Sequence, residues 1–143
     1  GEEALDMLQA MNTGHDGSLT TVHANSPRDA VSRLEVMVSL ANGNMQLTSI
    51  RQQISSAVNL LVQASRLCDG TRRVVSITEV TGMEGEVITL QDIFVFEKRG
   101  IDKNGKVLGR FRATGIRPKF SEKLELAGIE VPEELFSTNK YYE

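Results

Sequence analysis

At 143 residues the chain has room for one domain, or a domain with an appendage, and for a core of its own. A hydrophobic share of 40% with 24% charged residues is ordinary for a soluble globular protein, and a formal charge of −3 gives no overall attraction to nucleic acid or anionic membrane. The single cysteine, Cys68, excludes an internal disulfide, and no apolar run approaches the roughly 20 residues that cross a bilayer, so the sequence reads as cytoplasmic.

The opening GEEALDMLQAM is already in helical rhythm and reads as cut from something longer. Ala4, Leu5, Leu8 and Met11 fall near one face of a helix over 2–12, with Gly14 as its stop. SLTTVHA (18–24) is a short β-type segment of Leu, Val and Thr. NSPRDAVSRLEVMVSLA then starts a helix, capped by Asn25 or Ser26, with Pro27 at its first position and Asp29 in its first turn. Val31, Leu34 and Met37 or Val38 form its apolar stripe, and NGN (42–44) ends it. LTSIRQQISSA (47–57) is a further helix, with Thr48 or Ser49 as cap.

After residue 57 the period changes. Strands are expected over 58–67, 72–83 and 86–100, joined by turns at DGT and at Glu84–Gly85. The order α-β-α-α-β-β-β predicts an α/β fold, the later half of a sheet that ends in antiparallel edge strands and includes 18–24. From Gly100 the chain turns Gly-rich and basic, with Lys98–Arg99 and the stretch from Lys106 to Lys119 as local clusters. Residues 1–100 therefore read as one domain and 101–143 as a small appendage. Short helices are expected there at SEKLELAG and PEELF, and a frayed end at Tyr141–Glu143.

One motif is a decoy. GIDKNGKV (100–107) fits G-x-x-x-x-G-K but lacks the Ser or Thr that ligands magnesium, and strand-like VLGRF follows it instead of a helix. KNGK reads as a type I′ hairpin turn. The two histidines, His15 and His23, flank a small polar segment. With Cys68 and carboxylates they match no metal-ligand spacing, and no nucleophile elbow supports a triad. Two readings of them remain. They are polar residues beside a loop and a strand end, or His23, next to the helix start at 25–28, donates a hydrogen bond to a bound phosphate and reports its presence.

The stretch TGHDGSLTTVHANSPRDAVSRLE resembles, almost residue for residue, the His box of the hexameric secretion ATPases of type II and type IV systems. Within them it is most similar to the CpaF-type motors of Tad/Flp pilus assembly. The resemblance continues through IRQQISSAVNLLVQASRLCDGTRRVVSITEVTGMEGEVITLQDIFVFE and into GRFRATGIRPKF. It implies the C-terminal portion of a RecA-like P-loop ATPase core, a mixed sheet with antiparallel edge strands and flanking helices, plus a small C-terminal subdomain.

Gly1-Glu2-Glu3-Ala4 matches the tail of the family's G-E-x-R-x-x-E pattern, which places Glu3 at its last glutamate and Walker A upstream of residue 1. The resemblance implies His23 and Glu3 as catalytic residues, and His15 with His23 as sensors of the γ-phosphate. ATP and magnesium would be cofactors of the parent protein, with none bound tightly by this stretch, which should be inactive alone. Partners would be further copies in a ring and inner-membrane platform proteins, with no nucleic acid, on the cytoplasmic face of that membrane. Arg33, in the family-like SRLE, is expected in an ion pair or, like Arg72 and Arg73, at a trans phosphate or subunit interface, while Arg28 is expected to be solvated. Arg72 and Arg73 fit two roles equally, contacts to a neighbouring subunit's phosphates or a plain strand-start charge pair. Two other classes stay open: an interaction module whose basic appendage docks a platform protein or neighbouring subunit, and a metallohydrolase.

Overall fold

The hydrophobic periodicity of the first 60 residues produces three helices, α1 (Glu2–Asn12), α2 (Pro27–Ala41) and α3 (Leu47–Ala57), which pack on one another. The structure, a computed structural model, describes residues 2–13 and 17–142. Leu8, Val31, Leu34, Val38, Ile50 and Ile54 are buried, each recurring at helical spacing within its own sequence. Of the two caps expected for α2, Ser26 serves: its Oγ accepts from Asp29 N at 3.0 Å, with Pro27 behind it. Asp29 reaches back to accept from Asn25 N at 2.9 Å, so each end of the first turn satisfies the other. The caps expected for α3 do not form. That helix begins at Leu47 after Gln46, which gives no side-chain cap, so Thr48 is already inside it and turns its hydroxyl toward Glu86.

Residues 60–142 carry the sheet. Its strands are β1 (Leu60–Arg66), β2 (Arg72–Glu84), β3 (Val87–Ile101), β4 (Val107–Ala113) and β5 (Tyr141–Tyr142), in the order β1-β2-β3-β4-β5. Pairs β1–β2, β3–β4 and β4–β5 are antiparallel, and the two-residue link between β2 and β3 leaves no other sense for that pair. The mixed sheet expected from the sequence is thus corrected to an antiparallel meander within a mixed α/β chain. Segment 18–24 does not join it. Those residues belong to no helix or strand, and Leu19 is 96% exposed. Their Thr and Val content favours a pleated, half-buried surface, and that preference yields a strand only where a neighbouring strand supplies the pairing.

Two further expectations are corrected at the level of turns and ends. Gly105 has φ +81°, but among the described residues no non-glycine has a positive φ, which rules out the type I′ turn. The β3–β4 turn is closed instead by Asp102: its N–H donates to Lys106 O at 2.8 Å, and its carboxylate accepts from Asn104 N and Lys106 N at 2.8 and 2.9 Å. Tyr141 and Tyr142, expected to fray, pair with Arg112 and Phe111 as β5. The Tyr142 ring stands edge-on to Phe94, which also stacks on Phe111 at 5.7 Å, and its hydroxyl donates to Leu135 O at 2.9 Å. Helix α4 (Ser121–Leu126) and a 3₁₀ turn (Glu133–Phe136) occupy the places expected for short helices.

The chain forms two compact units. The first runs to Asn59 and takes in Val80–Leu90; the second holds Leu60–Glu79 and the chain from Gln91 on. Gly100, where a domain boundary was expected, lies within β3. In the first unit, Arg28 Nη1 donates to Ile88 O at 2.7 Å and Arg51 donates to Glu86 O and Glu35 Oε1, each at 3.0 Å. In the second, Glu79 is only 3% exposed, and its two carboxylate oxygens accept from Lys119 N and Phe120 N at 2.9 Å each. Among the described residues no helix is long and apolar enough to cross a membrane.

Candidate functional site

The start of α2 sets the site's geometry. Ser26 and Asp29 fix the chain at Asn25–Pro27, which holds the preceding residues Thr21, Val22 and His23 alongside the helix. Between them and α2 lies a hollow of about 410 Å³ lined by Thr21, Val22, His23, Arg33, Val36 and Met37. His23 is exposed at its edge. Arg33 is held in place by Asp29, whose Oδ2 lies 3.1 Å from the Arg33 Nε. The Asn25 N–H and then the Arg33 guanidinium hold the Asp29 carboxyl below its ordinary range, so it stays ionised and fixes Arg33.

The polar groups of the lining are an imidazole, a guanidinium and a hydroxyl, and no carboxylate is among them. Such a set donates to an anionic group and leaves the rest of a ligand to Val22, Val36 and Met37. Phosphate oxygens fit it; a divalent cation does not. Among the described residues no three of His, Cys, Asp and Glu gather as metal ligands.

The other expected residues are placed as follows. His15 lies outside the described residues. Glu3 is exposed on α1 and does not line the hollow. Arg33 forms the ion pair expected of it, at i,i+4 with Asp29. Arg28, expected to be solvated, is exposed yet donates to Ile88 O. Arg72 and Arg73 belong to the second unit. Arg72 is exposed and lies opposite Arg66 in the β1–β2 register, while Arg73 sits 4.5 Å over the Phe96 ring. Sequence reasoning overlooked Thr21, Val22 and Val36 and assigned Met37 to the core. The usable signal was the stripe itself: with Ala30, Val31, Leu34 and Val38 buried, Arg33, Val36 and Met37 fall toward another side of α2.

Comparison with known proteins gives the following. A profile of the family described as type II/IV secretion system protein matches residues 1–124. A putative conjugal transfer protein of Mycobacterium tuberculosis is 37% identical over 87 residues, 61% of this chain and 24% of that protein. The conjugal transfer protein TrbB of Rhizobium radiobacter is 39% identical over 82 residues, covering 57% of this chain and 23% of its own length. The type IV secretion system protein PtlH of Bordetella pertussis is 35% identical over 82 residues, 54% of this chain and 24% of that protein. The chain therefore matches about a quarter of the length of these curated relatives.

Proposed function

The chain belongs to the type II/IV secretion system protein family, and on that ground we propose that it is the C-terminal part of a hexameric ATPase that couples ATP hydrolysis to protein export or pilin assembly. In this reading the RecA-like core is completed by residues outside this sequence. The partners are further copies in a ring and inner-membrane platform proteins, met at the cytoplasmic face of the membrane. The observation that carries the site is the hollow's lining, free of carboxylates, where His23 and the tethered Arg33 stand beside the start of α2.

ATP supplies the reactive phosphoanhydride, and its phosphate end is what this hollow fits. His23 donates a single hydrogen bond to a phosphate oxygen, and Arg33, oriented by Asp29, contributes positive charge nearby. Nothing in the lining suits magnesium, which in this reading is held by groups outside the 143 residues together with the phosphate-cradling loop. Glu3 and His15 are proposed as the family's remaining glutamate and second histidine.

Kinetics of His23→Ala in the full-length parent test the site. A hydrogen bond to a charged acceptor contributes about 1.5–3 kcal/mol. If it tightens in the transition state, kcat falls about 10- to 150-fold while nucleotide affinity changes little. Wild-type kcat in that variant would reduce His23 to a structural residue.

The transport branch has two readings. The similarity of the His box favours a CpaF-type motor of Tad/Flp pili. The relatives named for conjugal transfer and type IV secretion favour that branch instead. Deleting the parent gene decides between them: loss of surface pili supports the first, and loss of conjugation or effector export with pili intact supports the second.

A further inference from the structure

Two arginines join the helices to the β2–β3 hairpin. Arg28 Nη1 donates to Ile88 O at 2.7 Å, and Arg51, itself paired with Glu35 of α2, donates to Glu86 O at 3.0 Å. Ile88 is only 1% exposed, and Thr81 bonds across the hairpin to Thr89 at 2.8 Å. The carbonyl that Arg28 grips therefore belongs to a fixed piece of sheet. All of these residues lie in the first unit, as do those that line the hollow.

By local rules Arg28 is out of place. It sits in the first turn of α2, where the helix dipole and the free N–H groups favour an acid and disfavour a cation. A residue that breaks a local preference is compensated elsewhere, and here the compensation is the charge-assisted bond to Ile88 O. That bond fixes more than Arg28. The next residue, Asp29, accepts from Asn25 N at 2.9 Å on one side and lies 3.1 Å from Arg33 Nε on the other, and its own N–H donates to Ser26 Oγ at 3.0 Å. The first turn of α2 is thus a shared mount for both walls of the hollow, the extended residues that bring His23 and the helix side that carries Arg33. Arg28 is not among the residues that line the hollow; it ties their mount to the hairpin.

We propose that Arg28 is a positioning residue for ATP hydrolysis: by pinning the first turn of α2 to the β2–β3 hairpin, it sets how His23 and Arg33 face each other across the hollow. The inference rests on the reading of that hollow as a phosphate site. Hydrolysis is sensitive to such a mount, because a group misplaced by about 1 Å can lose on the order of 100-fold in rate. Binding is less sensitive, since an NTPase holds its nucleotide mainly through the phosphate-cradling loop. Loss of the pin therefore appears in kcat rather than in KM. Lysine at position 28 keeps a charged donor that can reach one carbonyl, and alanine does not. Arg51 supplies the comparison, because it holds α2 through Glu35, beyond the first turn.

The test is steady-state kinetics on the full-length parent. Arg28→Ala should lower kcat about tenfold with KM for ATP changed less than about twofold, and Arg28→Lys should recover most of the rate. Should Arg28→Ala fail to fold, Arg28→Met, which keeps the aliphatic stem and removes the donors, is held to the same outcome. Arg51→Ala should lower Tm at least as much, because its ion pair is partly buried, yet keep kcat within about twofold of wild type. If Arg28 acts through His23, adding Arg28→Ala to His23→Ala costs little further rate, whereas a merely structural loss multiplies with it. Wild-type kcat in Arg28→Ala overturns the proposal, and a slow His23→Ala beside it leaves the phosphate reading standing. Multiplied losses in the double variant also overturn it, as does an equal fall of kcat in Arg51→Ala. Wild-type kcat in His23→Ala overturns the phosphate reading and the proposal with it.

Discussion

Asp69 carries three hydrogen bonds on one half-buried carboxylate, from the Thr71 hydroxyl first and then from the Val107 and Thr71 amides, and they lower its pKa from 3.8 to about 2. A carboxylate depressed by folding stabilises the folded state fully above its ordinary value, and that contribution is lost as pH falls through the folded value. The window therefore runs from about pH 4 down to about pH 2. Asp69→Ala should lower Tm at pH 7, and the gap to wild type should close across that window when melting is followed by circular dichroism. Gly109 is constrained by space rather than by charge. A Cβ there would come within 2.3 Å of the Phe96 ring and 2.6 Å of Glu97 O, and the ring already carries Arg73 on it. Gly109→Ala should cost about 1–3 kcal/mol in urea unfolding, since the backbone carbonyl cannot step aside. Contacts of this kind were not legible in the sequence, because Asp69 and Val107 are distant in the chain and meet only through the sheet. The cap was legible to within one residue, as Asn25 or Ser26, because a cap, a proline and an acid within four positions all act locally.

At the scale of elements, local signals succeeded and pairing signals failed. All three long helices were readable, since period and punctuation lie within each segment. Strands β1 to β3 were readable for the same reason, and the tight turns between them fixed their sense. Segment 18–24 has the composition of a strand but forms none, and composition alone carries no information about strand pairing. Tyr141–Tyr142 shows the converse: these two residues form a strand where the Tyr142 ring meets Phe94, which itself contacts Phe111 and Phe136. The element with the most exposed dependence on one side chain is α2. Ser26→Ala removes the acceptor for Asp29 N and should destabilise by about 1 kcal/mol in chemical unfolding. The same change should loosen Asn25 and with it the wall of the hollow that holds His23.

For the whole molecule, family membership was legible because it rests on long contiguous motifs, whereas the arrangement into units was not. The two units interleave along the chain, with Val80–Leu90 belonging to the helical one, so no composition shift marks their border. The 143 residues contain no G-x-x-x-x-G-K followed by Ser or Thr, and the decoy at 100–107 is the end of a strand and a hairpin turn. Calorimetry on the isolated chain is expected to show no micromolar affinity for Mg-ATP, because an NTPase places its nucleotide mainly through that loop. Micromolar binding would overturn this expectation while leaving family membership untouched. The β3–β4 turn has an evolutionary corollary. Its shape is set by the Asp102 carboxylate and by Gly105 at φ +81°, while the side chains of Lys103 and Lys106 take no part in it. Lineages should therefore keep Asp or Asn at 102 and Gly at 105, while positions 103 and 106 drift in charge with whatever surface each descendant meets.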